Sequence, residues 1–183
     1  MNLAESEFTV LRQTIASRGT VRIVLFPVTM IGWSALAGTL TLLGSSPIAS
    51  LFSLAVLVAG FEAIHALHVG VERIGRYLQV FHESDDNGPK WETTAIAVGP
   101  ALPGGGVDPL FTPVFTCAVI INLIPALIPS PTWLEMLVIG VFHVVVLVRL
   151  VRARWAATRQ RAVELESYRA LKSRQAAKAA PTP

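Results

Sequence analysis

The chain has 183 residues, 52% of them hydrophobic and 15% charged, with a mean hydropathy of +0.57. That is too apolar and too poor in charge for a soluble domain of this length. One cysteine, Cys117, excludes an internal disulfide and any CxxC site, and its place in an apolar run reads as a small core residue.

Residues 1–20 predict a cytoplasmic amphipathic segment, a short helix over 2–17 with Leu3, Val10, Leu11 and Ile15 on its apolar side. Glu5, Glu7, Arg12 and Arg18 and the lack of an apolar stretch there argue against a cleavable signal peptide. Residues 21–43 form the first run long enough to cross a bilayer, which takes about 20 apolar residues. Within it Ser34 and Gly38 are a small-xxx-small pair, expected to let helix backbones approach closely. The second run starts at Ile48 and continues as one helix past the bilayer, giving an element over 48–83. Ala55, Ala59, Ala63, Ala66 and Gly70 fall on a stripe about 80° wide and predict a docking face for a neighbouring helix.

Beside that stripe the same helix becomes polar. Glu62, His65, His68, Glu72, Arg76, Gln79 and Glu83 lie within roughly 120° of one another at 100° per residue. Depth divides them. At 1.5 Å per residue Glu62 lies roughly 8 Å inside the inner boundary, with His65 and His68 close to it. Glu72, Arg76 and Glu83 fall outside, where His68–Glu72 and Glu72–Arg76 are expected as i,i+4 cytoplasmic ion pairs. An intramembrane carboxylate needs a partner, a proton or water. His143 on the last apolar run is the candidate partner, and Asn122 could join the same cluster.

Ser84, Asp85, Asp86, Asn87, Gly88 and Pro89 predict a stop, and residues 84–110 an acidic, then Gly/Pro-rich cytoplasmic loop. The run Thr93–Val98 could be a short strand or lie against the bundle. Pro103-Gly104-Gly105-Gly106 lacks the Gly-Lys-Ser/Thr of a phosphate-binding loop. Residues 111–128 form a third, shorter apolar run containing Pro113 and Pro125, and 133–152 a fourth. Between Trp133 and Ala179 there is no proline, and 153–183 is rich in helix formers, so a single long helix should project from the membrane. Its basic residues and the acidic loop are opposite patches that could pair.

Arginine and lysine sort strongly. They occur up to Arg22, between the second and third runs (Arg73, Arg76, Lys90), and from Arg149 onward, and are absent from 44–47 and 129–132. The positive-inside rule then places both termini in the cytoplasm. Trp133 and Trp155 fit the two aromatic belts. The expected fold is all-α, a polytopic four-transmembrane-helix bundle with cytoplasmic extensions of helices 2 and 4. Its basic C-terminal helix should contact anionic lipid head groups, and no nucleic-acid partner is expected.

The segment His68-Val69-Gly70-Val71-Glu72-Arg73-Ile74-Gly75-Arg76-Tyr77-Leu78-Gln79-Val80-Phe81-His82-Glu83, followed by Trp91-Glu92, resembles one found in uncharacterised bacterial multi-pass membrane proteins. The resemblance covers about a tenth of the chain. It implies a bacterial inner-membrane location and no particular activity.

The function expected from these features is that of a non-enzymatic accessory or assembly subunit of a larger or homo-oligomeric membrane complex, without a cofactor. One alternative is a redox subunit. There Glu62, His65, His68 and His143 would bind zinc or iron, or His143 with His65 or His68 would hold haem b. A second is a proton or ion pathway through Glu62.

Overall fold

The computed structural model describes residues 3–83, 90–98 and 108–179. Its elements are α1 (Leu3–Leu42), a 3-10 turn (Pro47–Ala49), α2 (Ser50–Phe81), α3 (Trp91–Val98), α4 (Thr112–Ile121), α5 (Ile124–Leu127) and α6 (Trp133–Ala179). Among the described residues there is no strand. Three helices are long and apolar enough to cross a membrane, and the stretch Thr112–Leu127 is shorter.

Three expectations change. The N-terminal segment and the first span are one helix, α1. Arg18 and Arg22 mark a fall in hydropathy, which does not terminate a helix, and Gly19 alone costs only about 1 kcal/mol. The run Thr93–Val98 is helical, not extended, because a carboxylate caps it (below). The third apolar run is broken: Pro125 has no N–H to offer Ile121, and its ring would crowd that carbonyl. Asn122 and Leu123 therefore form a turn, and both prolines sit in the first turn of their helices, where proline is tolerated. The expected stop at 84–89 and the Gly/Pro stretch at 99–107 lie outside the described residues.

The chain forms two compact units. The first comprises Thr20–Leu67 and Asp108–Trp155. Its core is Leu54, Leu57, Phe61 and Ile64 of α2, Phe115, Ala118 and Val119 of α4, and Leu150 and Ala153 of α6, with Phe26, Met30 and Trp33 of α1 packed on it. Phe26 stacks on Phe111 at 4.3 Å, and Phe61 meets Phe115 edge-on at 5.4 Å. α1 ends in a Schellman motif: Gly44 is left-handed at φ +61, Ser45 N–H donates to Leu40 O and Gly44 N–H to Thr41 O. Thr132 and Glu135 exchange bonds in a capping box that starts α6. Asp108 accepts from the N–H groups of Leu110 and Thr112 to start α4, and also pairs with Arg154 at 3.2 Å.

The small-residue positions are not where α2 packs within this unit. Ala55, Ala59, Ala63 and Ala66 are exposed, as are Ser34 and Gly38 of α1. The inner face uses Ser53, Leu54, Leu57, Gly60, Phe61 and Ile64, about 160° round the helix from the alanines. Gly60 is the close approach to α1, since a Cβ there would overlap the buried Thr29 side chain.

The second unit comprises Met1–Gly19, His68–Val107 and Ala156–Pro183. Leu78 and Val80 are buried with Arg76, Glu83 and His68. Glu83 accepts from the N–H of Glu92 at 2.6 Å and of Thr93 at 2.9 Å, and from the Thr93 hydroxyl, which is the cap that makes α3 helical. Tyr77 stacks on Phe81 and meets Tyr168 edge-on. Its hydroxyl donates to Glu7 at 2.8 Å. Gly70, assigned from the sequence to the stripe, faces the Arg18 guanidinium.

The Gly60 contact makes a test. Gly60→Ala is expected to cost ~1–3 kcal/mol through overpacking, read as a lower melting temperature in detergent. Thr29→Ala should restore part of it by removing the nearest side-chain atoms. A Gly60→Ala protein as stable as wild type would refute this crossing.

Candidate functional site

The polar groups of the first unit gather at two places. At the first, the break after α4 places Asn122, fully buried, among α1, α2 and α6. Its Oδ1 accepts from Trp33 Nε1 at 2.9 Å and from the Ser53 hydroxyl at 2.7 Å. That orientation makes Nδ2 a donor, to Ser50 O at 3.1 Å and to His143 Nε2 at 3.2 Å. His143 Nε2 must then accept, and its Nδ1–H donates to Ile139 O at 2.8 Å. The neutral Nδ1–H tautomer satisfies every partner, and both ring nitrogens are occupied.

At the second, Glu62 accepts from Arg149 Nη2 at 2.8 Å, and the same nitrogen lies 3.5 Å from His65 Nδ1. His65 stacks on Phe61 at 6.1 Å. Both members of the ion pair are about 40% exposed. They border a cavity of about 110 Å³ between α2, α4 and α6 whose floor is Leu57, Phe61, Phe115, Val119 and Leu150.

The sequence-derived cluster therefore separates. Glu62's partner is Arg149, not His143. His143 belongs to the Asn122 network, and its engaged nitrogens leave none to ligate haem iron. His68 is buried in the other unit. Among the described residues no three His, Cys, Asp or Glu side chains gather as a metal site. Cys117, expected in the core, is exposed on α4. In the sequence Arg149 reads as the first residue of the basic tail. Depth arithmetic gives it away: it lies 16 residues past Trp133, roughly 24 Å along α6, inside a hydrocarbon core about 30 Å thick. Trp33, Ser50 and Ser53 carry no signal in one-dimensional periodicity.

In the second unit the expected Glu72–Arg76 pair is present at 3.1 Å. Arg76 is buried and also donates to Glu164 of α6, which accepts from Arg73 at 3.4 Å and from Gln160 at 2.9 Å as well. The expected pairing of a loop acid with a tail base occurs at Asp108–Arg154, whereas at Arg73 and Arg76 the polarity is reversed and the tail supplies the carboxylate, Glu164. Arg12 pairs with Glu92 at 2.9 Å. Burial pushes the Glu92 carboxyl above the ordinary range, Arg12 pulls it back, and Glu83 and Glu72 push it up further.

No protein-family model matches the chain, and comparison with curated proteins and with solved structures finds no match.

Three outcomes are expected. Asn122→Leu orphans Trp33 Nε1–H and leaves His143 without its donor, costing ~1–3 kcal/mol in detergent unfolding. Arg149→Gln should be more destabilising than the Glu62→Gln/Arg149→Gln double variant, with a coupling of about 1 kcal/mol for so exposed a pair; additivity would remove the pair. For Glu92, the protonated form is favoured by folding, so its contribution is complete below the ordinary carboxylate pKa and is lost as pH rises through the raised one. A carboxyl NMR titration should show a midpoint above that of ordinary glutamate, raised further by Arg12→Ala and lowered by Glu72→Gln.

Proposed function

We propose that this chain is a subunit of the bacterial inner membrane, a four-helix bundle with both termini in the cytoplasm, that serves assembly by helix contact with other membrane chains or copies of itself. The distribution of Lys and Arg supports the orientation. Large apolar side chains exposed along α1 (Ile23, Val24, Val28, Ile31) and α6 (Val141, Phe142, Val144, Val148) suit lipid and not water. The broken third stretch supports a fourth crossing: Asp108 at its start pairs with Arg154, and α5 at its end packs on the Pro47–Ala49 turn. Trp133 and Trp155, both exposed, flank the apolar run of α6.

The observation that carries the assembly role is the alanine stripe. Ala55, Ala59, Ala63 and Ala66 face away from the chain's own core. In lipid, where burying apolar surface drives nothing, small residues are the ones that let another helix approach closely. The ionisable groups of the apolar unit point the same way, because Glu62 and His143 are engaged within the chain.

In a Cys117→Ser background, Ala59→Cys is expected to form an oxidative crosslink to a defined membrane chain or to a second copy, and Phe142→Cys is not. Ser45→Cys and Ser173→Cys should label from opposite sides of the membrane. A purified protein that stays monomeric, leaves Ala59→Cys uncrosslinked and catalyses turnover alone would overturn the assembly role.

A further inference from the structure

We infer that the cleft beside the Glu62–Arg149 pair seats the upper segment of one acyl chain of an anionic phospholipid, whose phosphodiester head is bound by Arg149 and Arg152. The inference rests on the membrane location proposed above.

The cleft has a buried apolar floor and a rim of Val58, Val145 and Val146. Val145 is 59% exposed, so the opening lies on the side that lipid would cover. An apolar hollow open to hydrocarbon fills with hydrocarbon. The charge on its rim decides which lipid. Val145, Arg149 and Arg152 stand at i, i+4 and i+7 on α6 and so share one face. The face runs from the apolar rim to the first guanidinium in roughly 6 Å and to the second in roughly 10 Å, the order in which a lipid presents its upper chain and its phosphate. Arg149 commits only one terminal nitrogen to Glu62 and His65, leaving Nη1 and Nε to donate elsewhere. Arg152 is exposed and has no ion-pair partner among the described residues. With Glu62 neutralising one arginine, the rim keeps a net positive charge, which complements a phosphodiester without a compensating ammonium group.

The test reconstitutes the full chain in nanodiscs of equal parts dioleoylphosphatidylglycerol and dioleoylphosphatidylcholine and counts retained lipids by native mass spectrometry. The expected result is one phosphatidylglycerol retained in preference to phosphatidylcholine. Arg152→Gln, at an exposed position that should not disturb folding, should reduce that preference about fivefold. Adding the Glu62→Gln/Arg149→Gln pair, which leaves no unpaired charge behind, should abolish it. Val145→Trp, which closes the rim, should remove the retained lipid whichever head group it carries. Equal retention of the two lipids by wild type, or a preference that survives all three arginine and rim changes, would overturn the inference. Alkaline carbonate extraction separates the two levels: a chain released from membranes defeats the membrane location itself, whereas an integrated chain without lipid preference defeats this site alone.

Discussion

Asn122 joins α1, α2 and α6 through a single amide. Two donors, Trp33 Nε1–H and the Ser53 hydroxyl, converge on its oxygen, and its nitrogen is shared between Ser50 O and His143. The residue is fully buried, so these partners stand in for water. An amide used at this capacity admits one arrangement of its partners, so it fixes both the rotation of α2 and the tautomer of His143. It can reach them because Pro125 interrupts the helix just after it. The proline that shortens the third apolar run therefore also creates the turn on which the network hangs.

Carboxylates start three of the helices. Glu83 caps α3 from the end of α2, Asp108 caps α4, and Glu135 closes the capping box of α6. Each places negative charge where the helix dipole is positive and satisfies donors that have no intrahelical partner. Taken together as loop charge, the acidic residues suggest a patch for a basic partner. Among the described residues Glu72, Glu83, Glu92 and Asp108 are each engaged within the fold, and the buried Arg76 takes its counter-charges from Glu72 and from Glu164 of the tail.

What was legible in the sequence follows from how each feature is encoded. The bounds of α2 and α6 are written in runs without proline and in strong changes of composition, and both can be read directly. The two faces of α2 are written in period, so the polar and alanine stripes are legible as stripes. Which stripe turns inward is not, because in an apolar helix Leu, Val and Ala all qualify for either side, and a contact such as Thr29 with Gly60 is a property of two helices. The partner of Glu62 is hidden for a different reason: Arg149 opens the basic run that signals topology, and its charge says nothing of its depth. α3 could not be told from a strand because its cap, Glu83, is separated from it by the 84–90 connection.

α2 divides its circumference among three tasks. One face, from Ser53 to Ile64, packs inward. The flank at Glu62 and His65 is bound to Arg149. The face opposite the core carries the alanines and the exposed Phe52. His143 has both ring nitrogens engaged within the chain, and Glu62, about 40% exposed, is held by Arg149 at the edge of the cleft. Outward, α2 and α6 present small side chains and an apolar cleft with a cationic rim, and the proposed contacts with another helix and with a lipid would use these two surfaces.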